Sequence, residues 1–246
     1  MNKDLIMKRF EKNLANYEKN AFVQKNMAEK LFSLLDKKRY DNILELGCGT
    51  GLLTKIIAEN LNFAHYTAND IVSGCEKYIK KINKDIEFVP SDMEDFIRED
   101  KEKYDLIVSN AALQWVENVS VFVENLYDKL NDGGAILFSI FGKDNYKEIQ
   151  QITGKTLKYF SETELGKMLL QYEPTIEKYT ETIAFNSPQE VLKHMRFTGV
   201  NALEETFWTK SDIADFSNKY KELCPQKFIL TYNPVYIKIV KSVNTA

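Results

Sequence analysis

Between Asp41 and Gly142, five short apolar runs, near 42–47, 64–69, 86–90, 104–109 and 134–141, are separated by stretches with apolar residues at helical spacing. That alternation predicts a doubly wound α/β sheet. Runs such as Leu106-Ile107-Val108 and Ala135-Ile136-Leu137-Phe138 suit parallel strands covered on both faces. Asn131-Asp132-Gly133-Gly134 predicts the end of a helix and a turn into the fifth strand. Ahead of the sheet, residues 4–37 hold two helical patterns parted near Asn16 to Asn20, the second carrying Phe22, Val23, Met27, Leu31 and Leu34. Behind it the pattern predicts helices over 145–159 and 161–171, the second opened by the capping box Ser161-x-x-Glu164. Pro174 then precedes a strand over 175–185. Ser187-Pro188 starts a helix that carries His194 and Arg196 and stops at Gly199; a helix over 211–223 and a last strand over 228–240 follow.

The first strand runs into Gly47-Cys48-Gly49-Thr50-Gly51. Such a loop admits backbone dihedrals closed to other residues and lets a flat, polar ligand lie against the main chain, with Thr50 where a helix N-cap is wanted. Its G-x-G-x-G spacing departs from the G-x-G-x-x-G that cradles a dinucleotide pyrophosphate. Asp70 stands where the second strand should end, Ser91-Asp92-Met93 follows the third, and Ser109-Asn110 closes the fourth. In a parallel sheet these four strand ends share one rim, the ligand-binding edge of such folds.

That set resembles the class I S-adenosylmethionine-dependent methyltransferases. The resemblance implies a Rossmann-like fold with a seven-stranded, mostly parallel sheet, binding S-adenosyl-L-methionine and releasing S-adenosyl-L-homocysteine. It also implies that Glu45 and the glycines Gly47, Gly49 and Gly51 meet the methionine part, Asp70 the ribose, and Asp92 and Met93 the adenine. Asn110 would help line the transfer site.

Composition narrows the class without changing it. The chain has 246 residues, 44% hydrophobic and 28% charged, as in ordinary globular domains. One methyltransferase domain over 1–246 is expected: a helical lid over 1–40, a cofactor-binding core over 41–142, and substrate-side helices and strands over 143–246. No run of about 20 apolar residues suggests a membrane span, and the start lacks a signal peptide's apolar segment, so a cytoplasmic protein without a membrane partner is expected. Cys48, Cys75 and Cys224 are scattered, and only His65 and His194 could assist them, so neither disulfides nor a metal site is expected. The net charge of −3 argues against nucleic acid as a partner. It hides an asymmetry: residues 1–40 hold ten Lys and Arg against five Asp and Glu, a surplus of five, leaving −8 on the remainder. Such a segment can steer an acidic partner, or form a solvated helical face.

Further stretches resemble one branch of the class, the malonyl-acyl-carrier-protein O-methyltransferases of biotin synthesis. They are Arg9-Phe10, Tyr17, Val23-Gln24, Ser109-Asn110 through Gln114-Trp115, Phe138-Ser139 with Phe141-Gly142, His194 through Asn201, and Leu230-Thr231-Tyr232. The resemblance implies methylation of the free carboxylate of a malonyl group on acyl-carrier protein, or on coenzyme A as malonyl-CoA. Methyl transfer to a carboxylate asks for in-line positioning rather than a general base, because the nucleophile is already ionised at neutral pH. The expected roles are Tyr17 and Gln24 at the cofactor, Tyr17 also at the transferred methyl, and Arg196, Gln114 and Tyr232 at the substrate. Arg196 is the expected clamp on the malonyl carboxylate. Alternatives are another small free acid such as trans-aconitate, a quinone precursor, or a cofactor-binding regulator without turnover.

Overall fold

The computed structural model describes residues 3–198 and 208–243. The expected helix stop at Gly199, and the Gly199-Val200-Asn201 part of the family resemblance, lie outside them. In chain order the elements are α1 (Lys3–Asn20), α2 (Phe22–Ser33), β1 (Asn42–Leu46), α3 (Leu52–Asn60), β2 (His65–Asp70), α4 (Glu76–Ile82), β3 (Glu87–Pro90), α5 (Met93–Glu99), β4 (Tyr104–Asn110) and α6 (Val119–Asp128). They continue as β5 (Leu130–Phe141), α7 (Lys147–Thr153), α8 (Glu162–Met168), β6 (Thr175–Lys178), β7 (Glu181–Phe185), α9 (Pro188–Phe197), α10 (Lys210–Leu223), β8 (Phe228–Tyr232) and β9 (Pro234–Val240). Local chemistry sets several of these starts. Ser161 and Glu164 close the capping box of α8, Ser187 caps α9 with Pro188 in its first turn, and Asn118 caps α6.

Seven strands form one sheet in the order β3-β2-β1-β4-β5-β9-β6, parallel from β3 through β5, with β9 antiparallel to both neighbours. The seven-stranded, mostly parallel sheet is as expected; the strands at its far end are not. The stretches 175–185 and 228–240, each expected as one strand, are each two, and β7 pairs with β8 in a separate two-stranded sheet. The shared ribbon bends where the Thr180 hydroxyl donates to Asn233 Oδ1 at 2.6 Å. Asn233 precedes Pro234, which lacks an amide donor and restricts the residue before it, so the ladder breaks there. The stretch Asn131 to Gly134 is also corrected: it lies inside β5, because Gly133 and Gly134 exchange backbone hydrogen bonds with Lys241. The helix expected over 145–159 is shorter, as Gly154 ends it in a left-handed conformation (φ 71°).

Helices cover both faces. One core gathers residues of α2, α3, α4, α9 and α10 against the sheet, and the other residues of α5, α6 and α8. The first two helices part at Ala21, not over 16–20, because Ala21 is buried and packing, not a local breaker, turns the chain. Their burial also divides the expected lid. Val23, Met27, Ala28 and Leu31 of α2 are at most 1% exposed, and each large side chain contributes about 1.5–3 kcal/mol. That makes α2 part of the core. The buried residue of α1 is Leu14, which joins a small cluster with Val72 and Cys75, flanked by Met7 and Phe10. No described helix is long and apolar enough to cross a membrane.

Candidate active site

Because β1 to β4 run parallel, the glycine loop, Asp70, Asp92 and Asn110 gather on one rim of the sheet. Gly47 turns the chain there with φ 67°, and a Cβ at this position would lie 2.4 Å from Ala112 Cβ, so the loop passes directly against the segment after β4. A Cβ on Gly51 would lie 2.4 Å from Ile82 Cδ1, so this glycine serves packing against α4 and stands behind the loop rather than in the pocket. Gly51, not Thr50, occupies the N-cap position of α3; the Thr50 hydroxyl is buried with no partner.

The acids are already engaged in shaping the rim. Asp70 is buried and accepts the backbone N–H of Gly49 and of Val72, each at 2.9 Å. Burial pushes its pKa up, and those two amide bonds oppose the rise. Asp92 caps α5, accepting the Glu94 amide at 2.9 Å, while its other oxygen pairs with Lys3 of α1 at 2.9 Å. Lys3 also reaches Glu94 at 2.5 Å. Glu45 is 1% exposed and accepts the hydroxyls of Thr54, at 2.6 Å, and Tyr66; burial pushes its pKa up to about 7.

On the far side of the loop, Asn110 donates to the Gln24 carbonyl at 2.9 Å and accepts from Ser139 at 2.7 Å, tying α2 to the end of β4. Gln114 donates to the Ala111 carbonyl at 2.7 Å. Ala111 itself sits at φ 53°, a conformation a non-glycine residue adopts only when its surroundings impose it. From above, α1 lays Phe10 over Gly49 and Tyr17 edge-on against Phe10, with ring centroids 4.9 Å apart. Burial and the neighbouring Asp70 carboxylate raise the Tyr17 phenol's pKa, so it stays protonated and can donate.

One pocket therefore collects Tyr17, Gln24, Glu45, Gly47, Gly49, Asp70, Asp92, Met93, Asn110 and Gln114. Two expected substrate residues lie outside its lining. Arg196 is exposed on α9. Tyr232 is fully buried, its hydroxyl bonded to Tyr146 at 2.7 Å and to His194 at 2.6 Å, so the structure does not bring it to the pocket surface where the sequence expectation put it. Trp115, Phe141 and Thr198 also line the pocket, although the sequence did not single them out as site residues. All three stood in stretches that carried the family resemblance; what they lacked was a charge or a periodic signal.

Buried polar atoms rarely go unpaired. Three side-chain oxygens of pocket residues do here, Gln24 Oε1, Thr50 Oγ1 and Gln114 Oε1. Together with the carboxylates of Glu45 and Asp70 they form a set of acceptors suited to a ligand with hydroxyl donors and a cationic end. S-adenosyl-L-methionine fits that description. Among the described residues no group of three or more His, Cys, Asp or Glu is placed to hold a metal ion.

A methyltransferase-domain family model matches residues 17–205. The malonyl-[acyl-carrier protein] O-methyltransferase of Calditerrivibrio nitroreducens is 36% identical over 239 residues, covering 95% of this chain and 95% of that protein. Its namesake in Porphyromonas gingivalis is 35% identical over 95% of this chain and 94% of its own length. Solved structures share the fold at lower identity. The N-methyltransferase NodS of Bradyrhizobium japonicum, in complex with S-adenosyl-L-homocysteine, is 16% identical with a TM-score of 0.51, covering 96% of this chain and 98% of its own. The YcgJ protein of Bacillus subtilis is 10% identical with a TM-score of 0.57 over 88% and 97% of the two chains. With matches of more than 30% identity along nearly its whole length, the chain belongs to the malonyl-[acyl-carrier protein] O-methyltransferase family.

Proposed function

We propose that the protein transfers a methyl group from S-adenosyl-L-methionine to the free carboxylate of malonyl-acyl-carrier protein, forming the methyl ester early in biotin synthesis. The observation that carries this reading is a covered, mainly apolar pocket in which unpaired polar atoms meet two buried acids, in a chain so similar to enzymes of that name. When bound, the cofactor supplies an electrophilic methyl on a sulfonium centre. The chain's part is to bind, to orient and to exclude water.

In this reading Asp70 accepts the ribose hydroxyls with lone pairs left over from its two amide bonds. Glu45 balances the cationic end of the methionine part, whose charge would favour the ionised carboxylate. Met93 and the Asp92 region flank the adenine. Asn110, Gln114 and Tyr17 border the space in which donor and acceptor meet, and a protonated Tyr17 can donate to the incoming carboxylate. The lid is α1 alone, closing with Phe10 and Tyr17 and held at its start by Lys3 on Asp92 and Glu94. Arg196, exposed on α9 and without an ion pair among the described residues, is left available to an acidic group of the substrate or of its carrier. The setting is cytoplasmic: Cys48, Cys75 and Cys224 are all free thiols, as a reducing compartment would keep them.

The test is an initial-rate comparison of malonyl-carrier protein, malonyl-CoA, free malonate and trans-aconitate, with the ester identified by mass spectrometry. The carrier-linked substrate should be methylated fastest. Equal or faster turnover of a free acid would overturn the reading in favour of a small-acid methyltransferase.

A further inference from the structure

Two stretches far apart in sequence, His194 to Thr198 on α9 and Leu230 to Tyr232 on β8, meet beside the pocket. Tyr232 Oη lies 2.6 Å from His194 Nε2 and accepts the Tyr146 hydroxyl at 2.7 Å. With that acceptance made, the proton of Tyr232 points to His194, whose ring is held neutral by burial with a pKa lowered to about 4. Phe22 and Phe185 flank the imidazole, at centroid distances of 5.5 and 5.1 Å. One turn further along α9, the Thr198 hydroxyl donates to the His194 carbonyl at 3.1 Å, and Thr198 lines the pocket. On the other side Phe141, also a pocket residue, lies 5.7 Å from the Tyr232 ring.

A fold needing only packing here could use phenylalanines and a leucine. Instead three polar groups are buried, and burying polar atoms is costly unless all are satisfied together. Tyr146 moreover sits at φ 57° and ψ 37°, left-handed backbone that an aromatic residue adopts only under constraint. These features converge on the part of the pocket lining formed by Phe141 and Thr198. Resting on the function proposed above, we infer that Tyr232, His194 and Tyr146 are positioning residues that hold the Thr198 end of α9 as the acceptor-side wall, so that methyl transfer depends on them without their touching substrate.

The inference separates acceptor from cofactor. In Tyr232→Phe, which removes one oxygen and keeps the ring, kcat with malonyl-carrier protein should fall about 10- to 100-fold, the range a displaced acceptor wall entails. The calorimetric Kd for S-adenosyl-L-methionine should stay within about twofold. His194→Gln, whose amide oxygen can take the Tyr232 proton, should retain most activity, whereas His194→Leu should match Tyr232→Phe. Hydrogen exchange should rise in peptides spanning 195–198 and not in those spanning 46–53. Unchanged kcat in Tyr232→Phe, an equal loss of cofactor affinity, or identical behaviour of the two His194 variants would each overturn it. A parent enzyme inactive on malonyl-carrier protein would refute the proposed function, while the exchange comparison would still decide the network.

Discussion

The backbone amide of Gly49 donates to Asp70 Oδ2 at 2.9 Å, so the acid at the end of β2 holds the very loop that would carry the cofactor. Asp70 thus has two tasks, and they respond differently to substitution. Asp70→Ala should cost roughly 1–3 kcal/mol of cofactor affinity, since the ribose loses its acceptor and Gly49 its anchor. Asp70→Asn keeps one acceptor oxygen and should lie between. Calorimetric affinities equal to the parent's would show that this acid does not meet the cofactor.

A second expectation concerns pH. The Glu45 carboxyl titrates near 7 in the folded protein against 4.5 ordinarily, so the folded state binds the extra proton between those values. Stability of the ligand-free protein should therefore fall as pH rises from about 4.5 to 7 and level off above, Asp70 adding in the same direction. A cationic ligand reverses the preference. The thermal shift given by S-adenosyl-L-methionine should grow as pH rises through 7, and Glu45→Gln should flatten that growth; a pH-independent shift in the parent would contradict it.

Truncation distinguishes the two N-terminal helices. Deleting residues 1–20 removes α1 and should leave a folded protein whose turnover is lost, because water enters the pocket. Deleting residues 1–36 also removes Met27 and Leu31, and large buried side chains cost about 2–5 kcal/mol each to lose, so the protein should fail to fold. Circular dichroism melts of the two truncations decide between this division and a lid made of both helices.

The ion pairs of Lys3 with Asp92 and Glu94 are partly exposed, with side chains 17–30% accessible, and pairs of that kind contribute about 0.2–1 kcal/mol. Lys3→Ala should speed cofactor release only a few-fold, with the difference from the parent vanishing at high salt. A loss of a hundredfold would mean that Lys3 contacts the ligand itself.

Arg196 is exposed, and its substitution should therefore act mainly on KM. Arg196→Ala is expected to raise the KM for the malonyl substrate several-fold at low ionic strength, less at high salt because exposed charges are screened over about 8 Å. Wild-type KM at every ionic strength would remove Arg196 from substrate binding.

Much of the fold was legible along the chain because its signals are local. Apolar runs and helical spacing mark β1 to β5, strand-end polar residues mark the rim, and side chains such as Ser161 and Ser187 mark helix starts through hydrogen bonds to their own neighbours. The bend at Asn233-Pro234 was equally local, though the apolar residues around it read as one strand.

By itself, then, the sequence determined the parallel strands β1 to β4 and the rim on which their polar ends meet, since the strands follow from periodicity and a shared rim follows from their parallel order. Only tertiary structure decided that α2 is packed into the core while α1 lies over the glycine loop, that Gly51 serves packing, that Tyr232 lies outside the pocket lining, and that Thr198, Trp115 and Phe141 belong to it. Those are questions of burial between segments as distant as α1 and α9 or α9 and β8. No local pattern encodes them, because the free energy that settles them is gained only when the segments meet.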